Sequence, residues 1–418
     1  MIKQGLMINN RNMTKTPWLI LSAVSCFSAC WSAASMAAEW AFSEPVLVTA
    51  ETNSKTFHHL EPAGRRSVAY SANSVAVTWE DDRDGTPRVY VASRQLADTG
   101  FSNEIIISGQ GEAYDPVITG LENSSFMIAW EESGQVLLRI IESQKAGPVV
   151  KLSAAGSQPS INRYGNEVIV AWSERAGKFG QIRMAHIVAG DAHTPVIKES
   201  CSAEAAAAID EQLYPALSEV AGELLVAWED RRPGHTIIMA AQGKPCQLSA
   251  PERISAALEQ RSATYGKGHG VARVALATYG TDQVMAAWAD KRDFREGYDI
   301  YAAAYLNGSG FGENMRVQDD FGGVARQWHP TVAGHSDGSL VVVWTDDREG
   351  NSDLMLSSYA EGEWSDDLAL PGASGPGEQA HPSAIFDTAG RLHITWIERD
   401  KRNSPTRLKY MVGKLHAD

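Results

Sequence analysis

The chain has 418 residues, 44% of them hydrophobic and 21% charged, a globular composition with ample apolar material for a large core. Its net charge of −14 argues against nucleic acid or anionic membrane as a partner, because such binding rests on Lys and Arg neutralising phosphate.

In chain order, residues 1–38 read as a secretory signal peptide. A basic residue at Lys15 precedes an apolar run over 17–31, and Ser35-Met36-Ala37 gives an A-x-A-like cleavage site. Met13 is an alternative start. The apolar run is shorter than the roughly 18 residues a spanning helix needs, and no later segment qualifies, so no membrane span is expected. Cys26 and Cys30 follow small residues, but Ala23 and Phe27 stand where a lipoprotein signal favours Leu, so lipid anchoring is not expected. Removing Lys3, Arg11 and Lys15, with no acid among residues 1–38, takes the charge from −14 to −17. The remainder, 39–418, is expected to be an exported domain, periplasmic or extracellular, and monomeric. It keeps two cysteines, Cys201 and Cys246. In an oxidising compartment they suggest one disulfide, two separate buried thiols being the alternative.

One phrase then recurs: "VAVTWEDDRDG" (75–85), "FMIAWEESG" (126–134), "VIVAWSERAG" (168–177), "LLVAWEDRRPG" (224–234), "VMAAWADKRD" (284–293), "VVVWTDDREG" (341–350) and "LHITWIERDKR" (392–402). Its tryptophans are Trp79, Trp130, Trp172, Trp228, Trp288, Trp344 and Trp396, separated by 51, 42, 56, 60, 56 and 52 residues. Two residues past each stands an acid: Asp81, Glu132, Glu174, Asp230, Asp290, Asp346 and Glu398. An Arg follows in six copies, at Arg83, Arg175, Arg232, Arg292, Arg348 and Arg399. A short strand often marked by Pro precedes each phrase ("YDPVITG", "WHPTVAG"). An alternating strand ("DIYAAAY", "DLMLSSY") and a weaker fourth strand follow it. Four short strands repeated at about this spacing predict an all-β chain, a seven-bladed β-propeller with four-stranded blades. Seven first, second and third strands are present, but only six fourth strands follow them. "WAFSEPVLVTA" (40–50) has the missing pattern, so the N-terminal strand is expected to complete the last blade and close the ring.

The phrase itself reads as structural. "VVVW" suits a second strand buried on both faces, with Trp between blades, and "DDREG" suits a turn. Its acid is placed to pair with the Arg. A binding ring of acids and arginines is the functional alternative, and a calcium site lacks further oxygen ligands.

Ligand sites are expected on the face shared by the hairpins between strands two and three and the connections from blade to blade, where 199–213, 250–269, 317–329 and 370–381 are long. An Ala-rich helix is expected at 202–210, as a cap over the rim. The candidate ligand-binding residues lie at inner-strand entrances: His59, Tyr114, Asp115, Tyr214, His269, Trp328, His329 and His381. His58 and Gln158 occupy the same zone. Aromatic faces beside hydrogen-bonding His and acids suit sugar rings. Packing of His and Tyr on the following Pro is the structural alternative. No metal or other cofactor is predicted, clustered rim histidines for a transition metal being the remaining possibility.

The repeated "vvvWxDdRxGxxDIYxxS" phrase, clearest at 284–304 and 340–358, resembles the blades of sialidase-like propellers of exported bacterial proteins. That resemblance implies the fold over nearly all of 39–418. It also implies Asp boxes, an Arg triad for a substrate carboxylate, a Tyr nucleophile with its Glu, and an Asp acid/base. The chain departs from this pattern. "LADTGFS" (96–102) is a degenerate Asp box and "HSDGS" (335–339) lies in the wrong turn. No "RIP" stretch is present, and Arg65, Arg66, Arg261 and Arg326 match no motif, so no catalytic residue carries over. No G-x-S-x-G, H-E-x-x-H, P-loop or C-x-x-C is present.

The sequence therefore reads as an exported propeller that binds a glycan or small ligand and is not an enzyme. A sialidase-like glycosidase or lyase with a non-standard site is one alternative. An envelope scaffold with a protein partner is the other.

Overall fold

Each tryptophan strand pairs antiparallel with a strand on either side, giving seven separate sheets. The computed structural model describes residues 39–50, 56–60, 63–190, 194–256, 270–292, 297–319, 321 and 323–416. The expected signal peptide 1–38, with Cys26 and Cys30, and the candidate His269 lie outside them. Blade 6 illustrates the unit: Gln327–Gly334, Leu340–Asp346 and Asp353–Ala360 run from inside outwards, and Glu363–Trp364 and Leu368–Ala369 form a broken outer strand. Blades 1 to 5 span 58–106, 113–153, 156–202, 212–253 and 271–316. Blade 7 spans 378–416 and takes its outer strand from the N-terminal side. Glu39–Phe42 pairs with Arg407–His416 from Glu39↔His416 to Phe42↔Gly413, and Val46–Leu47 pairs with the same strand. The fold is the predicted seven-bladed propeller, closed as expected. No α-helix occurs among the described residues. Contrary to expectation 203–211 is an irregular connection, its backbone committed to local side chains: Gln181 donates to the carbonyls of Glu204 and Ala206 at 3.0 and 2.9 Å.

The second strands are buried on both faces, which is why they read as unbroken apolar runs. In "VVVW", Val342 and Trp344 join the core shared with Ala287 and Ile300 of blade 5, while Val341 and Val343 join the one shared with Trp396 of blade 7. All seven tryptophans are at most 1% exposed.

The acid after each Trp closes a bracket. In blades 1 to 6 the indole Nε1 donates to that acid at 2.9–3.1 Å. In blades 1, 4, 5 and 6 the Arg two residues further on pairs with the same carboxylate at 2.5–2.7 Å. Arg175 pairs with Glu211 and Arg399 with Glu378 instead. Blade 2 lacks an Arg, and its Glu132 accepts the Gly109 and Gly111 amides at 2.9 and 3.2 Å. Blade 7 is the exception: Glu398 pairs with Arg407 and Lys409, and Trp396 Nε1 has no partner. Carboxylates this deep hold their charge through multiple donors. Cys201, on the outer strand of blade 3, and Cys246, in the turn that leads into the outer strand of blade 4, form a disulfide with Cα atoms 5.6 Å apart.

Candidate functional site

Every inner strand except that of blade 1 carries the same defect. The ladder slips between Tyr114/Val117, Ser157/Ser160, Leu213/Ala216, Ala272/Ala275, Trp328/Thr331 and Ala380/Ser383. Each slip leaves two residues unpaired, and the first has positive φ: Asp115 (55°), Gln158 (57°), Tyr214 (52°), Arg273 (61°), His329 (53°) and His381 (57°). Non-glycine residues take this conformation at a cost, so the surrounding structure must impose it. Bulges re-aim side chains, and here they create a ring of six homologous positions at the channel mouth. The pin is visible. The amide of Asp115 donates to Glu80 at 3.1 Å, that of Arg273 to Glu229 at 2.8 Å and that of His381 to Thr345 at 3.2 Å. Each acceptor is the residue after the preceding blade's Trp. Gln158 donates likewise to Glu131.

Blade 1 departs from this. His58–His59 pairs with Asp81 and Glu80, and pairing resumes at Val68. Residues 63–67 lie off the sheet and cross the channel. The Gly64 amide donates to the Val274 carbonyl of blade 5 at 3.1 Å, and its carbonyl accepts from Ser160 of blade 3 at 3.2 Å. A Cβ on Gly64 would stand 2.4 Å from the Cβ of Ala216 in blade 4, so this crossing requires glycine. The plug delivers Arg65 to the ring. Its guanidinium pairs with Asp115 at 2.6 Å and lies 5.1 Å over the Tyr214 ring. Arg273 stacks on the same ring at 3.5 Å and pairs with Glu229 at 3.6 Å.

Across blades 6 and 7 the ring is aromatic. Trp328 stacks on His329 (4.9 Å, 6°) and His329 on His381 (4.3 Å, 25°). Arg326 lies 5.8 Å from the Trp328 ring. Trp328 Nε1 and the Nδ1 atoms of both histidines are buried without a hydrogen-bond partner. A buried ring nitrogen facing no acceptor is held most cheaply as a bare lone pair, which puts the imidazole proton on Nε2. Both rings are neutral. Burial, then the neighbouring His59, Arg399 and Arg273, brings His381 down to about 4. Burial, with His381 and Arg273, holds His329 well below 6.5.

Burial raises two acids near the ring. Burial, reinforced by Asp115, pushes Glu131 up to about 7. Burial also raises Glu229, against the opposing pull of the Arg273 amide and guanidinium. Two carboxyl groups raised by burial beside two guanidinium groups can bind, orient and exchange protons with a polar ligand.

Of the sequence candidates, Asp115, Tyr214, His329 and His381 occupy the ring. His59, Tyr114 and Trp328 sit one residue earlier, opposite Glu80, Glu131 and Thr345. Tyr114 turns its hydroxyl to Glu112 at 3.1 Å. Arg65, Arg273, Glu131 and Glu229 escaped the sequence reading as site residues. Counting one residue before the inner-strand Pro finds the ring in five blades, but Val274 replaces Pro in blade 5, and Arg273 was hidden with it. The two histidines stack face to face rather than converge. Among the described residues no group of three or more His, Cys, Asp or Glu is placed to hold a metal ion. A cleft of about 560 Å³ lined by Tyr279, Phe311 and Tyr359 lies on the opposite face, remote from this ring.

No family model matches the chain, and no curated protein matches its sequence. Solved structures of similar shape include a protein of unknown function from Dyadobacter fermentans (TM-score 0.53, 12% identity, 90% of this chain and 99% of that one). The polysaccharide lyase Uly1 is another (0.54, 10% identity, 85% and 91%). A puromycin-hydrolyzing peptidase of Mycobacterium tuberculosis is a third (0.50, 14% identity, 84% and 54%), and this chain spans about half of its length. At these identities the likeness is one of fold. This chain is a seven-bladed propeller with the fold of proteins that include a carbohydrate-active enzyme.

Proposed function

We propose that the protein binds a carbohydrate at the channel mouth. The observation that carries this reading is the composition of the bulge ring. One side is a continuous Trp328–His329–His381 stack, and the other is Tyr214 layered between Arg65 and Arg273. Sugar rings offer apolar faces and polar edges, and a site that recognises them needs aromatic surface beside fixed hydrogen-bonding groups. A polysaccharide lyase among the propellers of similar shape is compatible with this reading and does not carry it. The Cys201–Cys246 bond supports an oxidising compartment, and so the exported location read from residues 1–38.

The test is a glycan array of neutral and uronate-bearing oligosaccharides, probed with residues 39–418. Saturable binding to at least one sugar is expected. A uniformly blank array overturns the proposal.

The raised Glu131 favours a second reading, a glycan-cleaving enzyme of the sialidase-like or lyase type. A carboxyl group at about 7 serves as a proton donor or acceptor at neutral pH, whereas Asp115 is tied to Arg65. Under this reading Glu131→Gln abolishes release of new chain ends from a bound oligosaccharide while leaving binding intact. Absence of any cleavage by the unsubstituted protein leaves the binding reading alone.

A further inference from the structure

Arg65 and Arg66 are neighbours on the plug, yet they serve opposite sides of it. Arg65 reaches the mouth. Arg66 runs deeper, donating to the Asn162 side-chain oxygen of blade 3 at 3.1 Å and to the Leu276 carbonyl of blade 5 at 2.8 Å. Asn162 lies four residues beyond Gln158, and Leu276 three beyond Arg273, so both are below the ring along their strands. Beneath the plug the channel opens into a chamber of about 250 Å³, lined by Arg66, Asn162, Arg163, Ser218, Glu219 and Thr278, with apolar wall from blades 5 to 7.

Both partners of the Arg66 guanidinium are neutral carbonyl-type oxygens. Arg163 adds a second cation, its guanidinium turned to the Gly165 carbonyl at 3.3 Å. The chamber's one carboxylate among these residues, Glu219, accepts the Gly165 amide at 2.7 Å. The Ser218 and Thr278 hydroxyls lie 2.8 Å apart. A half-buried guanidinium whose hydrogen-bond partners are all neutral leaves its charge without a counter-charge, whereas charges withdrawn from water are ordinarily balanced by opposite charge. Its cost is visible: burial alone draws Arg66 down to about 10.

We propose that this chamber is a second site, for a small oxyanion, held by the Arg66 guanidinium fork. Planar guanidinium donors match the paired oxygens of a carboxylate, sulfate or phosphate. The volume admits such an anion and excludes a saccharide chain, so the site is separate from the mouth above it. Because Arg65 and Arg66 share one rigid crossing, an anion below fixes the plug that presents Arg65 above.

The experiment uses residues 39–418 and inorganic sulfate, titrated by calorimetry and thermal shift at constant ionic strength set with chloride. Saturable binding to the unsubstituted protein is expected. Asn162→Asp places a carboxylate beside Arg66, satisfies it internally, and is expected to weaken sulfate at least tenfold while leaving the protein folded. Arg66→Gln is expected to do the same if it folds. Arg163→Gln is expected to weaken sulfate less than either. Sulfate binding unchanged in Asn162→Asp, or a response that chloride alone reproduces, overturns the proposal. Neither result bears on glycan binding at the mouth.

Discussion

The hairpin bracket and the bulge ring each recur in six of the seven blades, and they treat repetition in opposite ways. The bracket keeps its chemistry: Trp, acid and usually Arg, with nearly the same hydrogen bond in six blades. The ring keeps its backbone and varies its chemistry, through Asp115, Gln158, Tyr214, Arg273, His329 and His381, all at φ of 52–61°. Constant side chains at constant geometry serve packing. Constant geometry with different side chains is how a symmetric scaffold builds an asymmetric site. Blade 1 takes the second tendency furthest by sending its chain across the channel.

The contrast breaks most severely at the bracket. Trp344→Ala empties a fully buried site between two blades and is expected to cost about 3–5 kcal/mol in urea unfolding. A loss below about 1 kcal/mol would mean that the blades do not depend on these indoles.

Asp346→Asn removes the charge that holds Trp344 Nε1 at 3.0 Å and Arg348 at 2.7 Å, and is expected to cost about 1–3 kcal/mol. Glu398→Gln, in the blade whose Trp396 is not held by its acid, is expected to cost below about 1 kcal/mol. Equal losses would show that the bracket bond contributes little.

The ring predicts a pH dependence of two opposite signs. His381 is neutral in the fold at about 4 against 6.5 when free, so protonation favours the unfolded chain. Stability therefore falls as pH drops from about 6.5 towards about 4. Glu131 has the opposite sign. Its folded value of about 7 lies above 4.5, so stability falls as pH rises across that interval. His381→Gln should flatten the acid limb of a melting-temperature profile and Glu131→Gln the upper limb. A profile that neither variant alters contradicts these assignments.

How much of this was legible in sequence follows from the same contrast. The Trp phrase exposed the fold, because each blade solves the same packing problem with the same residues. The closing strand was legible as a missing fourth strand, and the Cys201–Cys246 bond as the pairing of two cysteines in neighbouring blades, although Cys246 lies in the turn before its outer strand. The ring was largely legible: Pro marks it in five blades, and Asp115, Gln158, Tyr214, His329 and His381 were found there. Arg273 was not, since Val274 replaces the marker. Arg65 was not, since a glycine crossing at Gly64 has no periodic signature. Glu131 and Glu229 sit in the repeated phrase itself, one residue past Trp, where constancy of the neighbours hid their contact with the bulge ring.

The central claim is that the varied ring, not the constant bracket, carries recognition. The most direct measurement is the affinity of the strongest array sugar for the unsubstituted protein and for Tyr214→Ala, at matched folded fraction. Tyr214 is not in the blade cores, so the substitution should cost below about 1 kcal/mol of stability. It should nevertheless weaken sugar binding at least tenfold, about 1.4 kcal/mol, by removing the surface that Arg65 and Arg273 share. Unchanged affinity in a folded Tyr214→Ala protein would contradict the claim and move the site off the ring.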